Sequence, residues 1–225
     1  MTQDAAIILL TLKVAGTAVA LALPPGLLLS AWLARRRFAG RAAIETCLSL
    51  PLVLPPVATG LVLLMVLSPS ATVGRFLESA FGLRLVFSWP GAALAAAVVS
   101  FPLMLRSLLQ GFESIDPRYA DVARTLGASR LSILWRIHLP LIRPAIVAGC
   151  LLTLARSLGE FGATIILAGS IPGRTRTVAL ELFQRIEVGD TVGALRMALL
   201  AVVMAFALLS LGRMAERRLL SGSGR

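Results

Sequence analysis

Long apolar stretches alternate with short basic ones along this chain. Ala5–Ala34 comes first, with Lys13 near enough to its start to snorkel and Pro24-Pro25-Gly26 expected to kink or break it. Ala43–Leu67 follows and carries Glu45, Pro51, Pro55 and Pro56, which predicts an irregular helix against protein rather than a smooth rod in lipid. Its prolines fit a hinge or lining segment and a packed structural kink equally well. Ser68–Ser88 is looser and holds a short interfacial helix over Val73–Phe81. Trp89-Pro90 marks a membrane interface and a helix start, and Gly91–Leu109 is the third apolar stretch. Leu141–Gly169 and Ala194–Leu211 are the fourth and fifth, with a Pro-Gly turn and an amphipathic helix over Val178–Ile186 between them. Stretches of about 20 apolar residues span a bilayer as helices. The pattern predicts an all-α polytopic membrane helix bundle of about five transmembrane helices, one transmembrane domain over residues 1–225.

Asp121–Pro140 interrupts that pattern: it is too basic and too broken to lie within lipid. Asp116-Pro117 opens a helix, because Asp can cap and Pro at the first helical position forfeits no hydrogen bond. Ala120, Ala123 and Leu126 fall on one face at helical spacing. Gly127 can stop the helix in a left-handed turn, Ser129 can cap a second helix bearing Leu131, Leu134 and Ile137, and Pro140 is expected to end it. The segment about 111–140 thus reads as a helix-turn-helix held at the membrane surface.

Composition agrees: 57% of residues are hydrophobic and 15% charged, against about a quarter charged in soluble domains. The net charge of +11 would suggest nucleic acid in a soluble protein, but its distribution argues for topology instead. Arg35, Arg36, Arg37 and Arg41 follow the first span; Arg106, Arg118, Arg124, Arg130, Arg136 and Arg143 lie in or beside the central loop; Arg213, Arg217, Arg218 and Arg225 close the chain. These are alternate loops, so all face one side, which the positive-inside rule makes cytoplasmic. The expected orientation is N-terminus outside and C-terminus inside. The opening MTQDAAIILL lacks the basic flank of a signal peptide and is read as the retained start of the first span. No nucleic-acid motif is visible. Cys47 and Cys150 suit neither a disulfide nor a metal site, and no cofactor is called for. His138 is the one histidine, and no nucleophile–base pair or ligand cluster suggests a catalytic site.

The fourth span carries unusual residues for a membrane interior: Arg156, Gly159, Glu160 and Gly162. Arg156 and Glu160 stand four apart, on one helical face. Buried charges are costly in lipid, so the pair faces the bundle or water. It either stands near a translocation path or gate, or ties neighbouring helices structurally. Gly159 and Gly162 would let another backbone approach closely.

The run acidic-x-Ala, Gly, Ile-x-Leu-Pro, formed here by Asp121, Ala123, Gly127, Ile137, Leu139 and Pro140, resembles the cytoplasmic EAA loop of ABC importer permeases. Asp121 and Val122 replace the usual Glu and Ala. Leu50–Gly60 (LPLVLPPVATG) and Ala155–Thr177, around a Gly-Glu-Phe-Gly core, are similar to the molybdate permeases of that family. Sulfate and thiosulfate permeases share a similar RxxGE core, but Ser170–Thr177 (SIPGRTRT) fits the molybdate members better. The resemblance implies a permease subunit that pairs with a second copy of itself, receives its anion from a periplasmic molybdate-binding protein and docks an ATP-binding cassette ATPase on the loop. Sulfate, thiosulfate or tungstate remains the alternative cargo. The chain has no G-x-x-x-x-G-K-[ST] run, so under this resemblance the partner hydrolyses ATP.

Overall fold

The computed structural model describes residues 3–34 and 38–222, with the side chains of residues 3 and 215–222 left aside. The basic run Arg35–Arg37 and Arg225 therefore lie outside the described residues, as do the side chains of Arg217 and Arg218.

α1 (Gln3–Ala34) runs unbroken through Pro24 and Pro25. The expected break is absent, and the physical reason is packing: Ala22, Leu23 and Leu27 lie against Met104 and Leu108 of α5 (Trp89–Glu113), which holds both sides of the proline step in place. Toward the other end Val14 and Ala18 meet Ala92, Ala93, Ala96 and Ala97. Alanines leave no side-chain bulk, so the two helices pack closely along their length. Ser88 caps α5 by accepting a hydrogen bond from the Gly91 N–H at 3.3 Å, and Pro90 occupies its first turn.

α2 (Arg41–Val53) and α3 (Pro56–Leu67) together form the second apolar stretch, but they meet at 107°. At about 1.5 Å per residue neither half reaches across a hydrocarbon core of about 30 Å. The Pro55-Pro56 pair dictates the break: the residue before a proline is pushed out of the helical region, and Leu54 is extended at φ −66°, ψ 144°. α4 (Thr72–Phe81) ends in a left-handed Gly82, φ 64°, close to the expected interfacial helix.

Beyond α5 come α6 (Pro117–Thr125), α7 (Arg130–Ile133), a π-helical turn (Leu134–His138) and α8 (Leu139–Leu141). α9 (Arg143–Leu158) follows after a 69° bend, and α10 (Gly162–Ala168) after a break at 159–161, so the fourth stretch is also two helices. α11 (Val178–Glu187) and α12 (Thr191–Gly222) complete the chain. Among the described residues three helices, α1, α5 and α12, are long and apolar enough to cross a membrane alone, and counting each bent pair as one span gives up to five.

α5 is the central post. α1, α9 and α10 pack on it, and Ser107 Oγ donates to the Ala145 carbonyl of α9 at 2.8 Å. The face of α9 turned to α5 carries Gly149, Thr153 and Ser157 at four-residue spacing. α12 contributes little to the core: only 11% of its apolar window is buried, and Leu195, Leu199, Val202 and Phe206 are exposed.

Candidate functional site

The caps and the glycine turn of the hairpin between α5 and α9 are those its sequence indicates. The Asp116 side chain accepts from the Arg118 N–H at 2.9 Å and starts α6. Gly127 sits at φ +80°. Its N–H donates to the Arg124 carbonyl at 3.0 Å, and the Ala128 N–H donates to the Ala123 carbonyl at 2.9 Å. That pair of bonds is a Schellman motif, which satisfies carbonyls left open at the helix end. Ser129 caps the second arm by accepting from the Ser132 N–H at 3.2 Å.

Pro140 does not end that arm. The preceding π turn, closed by Leu139 N–H onto the Leu134 carbonyl, widens the helix just ahead of the proline. That spacing relieves the clash a proline ring makes with the carbonyl four residues back. The arm stops instead at Ile142, buried ahead of Arg143-Pro144.

The buried face of the hairpin is Ala120, Ala123 and Ile133, with Ala128 and Ile137 packed beside them. Two expectations change here. Leu126, expected on the Ala120–Ala123 face, is 82% exposed because it lies past the last helical residue. Leu131 is also exposed, and Ile133 takes its place inside. Leu139 packs instead with the cluster around Ala31, Phe112 and Ile142, where α1 and α5 end, and so anchors the hairpin to the bundle.

Outward, the hairpin offers a groove of about 570 Å³ lined by Asp116, Arg118, Tyr119, Val122, Leu126 and Ile137, with Ala123 at its floor. Tyr119, Val122 and Leu126 are all more than half exposed. Asp121 lies on the surface, paired with Arg124 at 2.7 Å. Sequence reasoning passed over Tyr119 and noted Val122 only as a departure from the EAA pattern. The available signal was residue size: α6 has a small face, Ala120 and Ala123, and a large one, Tyr119 and Val122, continued by Leu126 just past its end. Among the described residues the small face packs inside the hairpin and the large one stays exposed.

A second polar site lies at the break between α9 and α10. The Glu160 carboxylate is buried. Its Oε1 accepts from the Ala163 N–H at 2.8 Å, and its Oε2 lies 2.8 Å from Arg156 Nη1. The latter is an ion pair without hydrogen-bond alignment. Gly162 brings α10 onto the start of α3: a Cβ there would lie 2.9 Å from Pro56 Cβ. Gly60 answers from α3, where a Cβ would lie 2.8 Å from the Ala163 backbone. Gly159 differs from the expectation, since a Cβ on it would meet nothing within 4 Å. The two broken helices therefore cross through Gly60 and Gly162, and Gly159 faces open space. Among the described residues no group of His, Cys, Asp and Glu is placed to hold a metal, and both cysteines are free.

Residues 26–221 match the family described as binding-protein-dependent transport system inner membrane component. The chain belongs to that family. As such an inner membrane component it is 44% identical, over 199 residues, to the molybdenum transport system permease protein ModB of Escherichia coli K12, a match covering 88% of this chain and 87% of that one. It is 38% identical over 185 residues to the sulfate transport system permease protein CysT of Salmonella typhimurium, covering 82% of this chain and 66% of that protein. Its fold superposes with a TM-score of 0.76 on a bacterial ABC transporter involved in the import of the acidic polysaccharide alginate, at 21% identity and covering 97% of this chain and 80% of that one.

Proposed function

We propose that this chain is the membrane-spanning permease subunit of an ATP-driven importer of molybdate. Two copies enclose the route, a periplasmic binding protein delivers the anion, and an ATP-binding cassette ATPase seats on the hairpin and hydrolyses ATP. The observation that carries the docking role is the outward apolar groove of α6, whose large residues stay exposed among the described residues. Burial of Tyr119, Val122 and Leu126 in a partner's cleft would convert ATPase closure into movement of α5 and α9, to which Leu139 and Ile142 fasten the hairpin. The cargo assignment rests on the ModB relative, which matches across nearly the full length of both chains. The arginines of alternate loops support an external N-terminus and a cytoplasmic C-terminus in the bacterial inner membrane.

Sulfate is the second reading, favoured by the CysT relative. Tetrahedral dianions of like charge leave little for charge alone to distinguish. Uptake of radiolabelled molybdate into vesicles holding permease, ATPase and binding protein tests the assignment, with tungstate, sulfate and thiosulfate as competitors. Competition by tungstate but not by sulfate is the expected result; sulfate uptake that molybdate leaves untouched overturns the molybdate assignment.

A further inference from the structure

The Arg156–Glu160 pair is lopsided, and that asymmetry bears on how the anion crosses. Glu160 is almost wholly enclosed, its side chain 1% exposed, whereas the Arg156 side chain is 29% exposed. Glu160 is also held from two sides, by the Ala163 N–H of α10 and by Arg156. Arg156 offers a planar fork of five N–H donors. One of its nitrogens approaches Glu160, and that contact lacks hydrogen-bond alignment. Arg156 follows Thr153 by three residues, at the edge of the Gly149–Thr153–Ser157 face that α9 buries against α5, yet its side chain stays partly exposed. Gly159, three residues on and hence on the same side of the helix end, adjoins open space. The last turn of α9 therefore holds a guanidinium with unused donors close to an exposed glycine, inside a segment that reads as membrane-spanning. A desolvated dianion passing at that depth needs a cation, and a guanidinium matches oxyanion geometry with paired N–H bonds.

We propose that Arg156 contacts the transported oxyanion directly and that Glu160 is its resident counter-ion. The passing anion displaces the carboxylate from the guanidinium, and the carboxylate reclaims it once the anion has left. Glu160 can do this without moving, because the Ala163 N–H keeps it in place while Arg156 swings. Arg156 is then a binding residue of the route, and Glu160 sets how tightly that residue holds its cargo. This inference rests on the proposed oxyanion-import function.

The test uses the complete importer in vesicles, with Gly159→Cys introduced in a Cys47→Ser, Cys150→Ala background. A charged, water-soluble methanethiosulfonate reports on the thiol at position 159. Labelling should proceed, and sodium molybdate should slow it, whereas sodium chloride of equal ionic strength should not. Arg156→Gln should abolish that protection and slow uptake at least about tenfold, a factor equivalent to about 1.4 kcal/mol. Arg156→Lys should retain part of both. Glu160→Gln keeps an oxygen for the Ala163 N–H while removing the competing charge, so protection should appear at lower molybdate concentration. A pair with a merely structural role would not produce that shift. Molybdate that leaves labelling unchanged in an importer that does take up molybdate overturns the inference and spares the function. If the importer takes up no molybdate, the cargo assignment has failed, and labelling is repeated with sulfate, thiosulfate and tungstate. Protection by one of them that Arg156→Gln removes upholds the inference, and protection by none overturns it. Should Arg156→Gln not assemble, the Arg156→Lys and Glu160→Gln concentration series decide by the same shifts.

Discussion

Ala123 shows how one position can shape the hairpin chiefly from its interior. It is 9% exposed and packs inside the hairpin with Ile133 and Ile137. Ala123→Trp would therefore overfill the hairpin, and overpacking costs about 1–3 kcal/mol. Its expected effect is a loosened loop, seen as faster proteolysis between residues 117 and 142. Val122→Asp and Leu126→Asp change the outward face alone. Both should leave the hairpin protease-resistant while weakening detergent pull-down of the ATPase, and ATPase capture equal to wild type in both would remove the groove from the docking surface. Gly127→Val is a third kind of change. A Cβ meets nothing within 4 Å there, but φ is +80°, and an L-residue pays about 1–2 kcal/mol in the left-handed region. Its effect should fall on hairpin geometry, read as ATP hydrolysis uncoupled from uptake with folded yield unchanged.

Two elements are joined at their backbones where α3 crosses α10. Because Gly60 and Gly162 place the neighbouring chain under 3 Å from any added Cβ, Gly60→Val should separate α3 from α10. The expected readout is reduced monodisperse yield in detergent, whereas Gly159→Ala, with open space around it, should express as wild type. The segment that turns from α11 into α12 is held electrostatically instead. Glu181 is buried between Arg176 at 3.1 Å and Arg185 at 2.8 Å, and Arg185 reaches Asp190 at 2.6 Å. The Arg185 hydrogen bond, then the Gly193 N–H, hold the Asp190 carboxyl below the usual carboxylate range. A depressed carboxylate stabilises the fold above its unfolded pKa, and that contribution disappears as pH falls through the folded value. Asp190→Asn should thus lower thermal stability in detergent at neutral pH. The gap to wild type should hold down to about pH 4, the ordinary carboxylate value, and close below it.

At the scale of the molecule, the arrangement is a rigid pair, α1 and α5, with broken helices around it and a hairpin at one end. The hairpin is fastened to the rigid pair through Phe112 and Ala31, while α3 and α10 are joined chiefly to each other and to α5. A push on the hairpin would therefore be delivered to α5, on which α9 and α10 pack on either side of the break at 159–161. The orientation in the membrane is tested by introduced cysteines. Ser79, Arg174 and Ser129 are all exposed, the last of them on the hairpin. An impermeant reagent added outside intact cells should reach cysteines at the first two and not at the third. Thr175 is a poor choice for this purpose, since it is fully buried and bonds the Gly169 carbonyl and the Ile171 N–H, both at 2.9 Å.

Sequence by itself determined the apolar segments, their helical nature, the amphipathic helices at Thr72–Phe81 and Val178–Glu187, and the caps and glycine turn of the hairpin. These follow from local chemistry: hydrophobic run length, a side-chain oxygen ahead of a helix, a residue free to adopt positive φ. The Arg156–Glu160 pairing was likewise legible, because four-residue spacing alone puts the two on one face. Tertiary structure decided what depends on neighbours distant in the chain. Pro24 and Pro25 stay helical because α5 braces them, while Pro55-Pro56 bends the chain by 107°. Pro140 is absorbed by a π turn. The inward turn of Ala123 and the outward turn of Tyr119, Val122 and Leu126 were set by the second arm of the hairpin. Gly162 became a crossing point and Gly159 did not, because α3 arrives at one and not at the other. Proline and glycine permit several outcomes locally, and packing against the rest of the bundle selects among them.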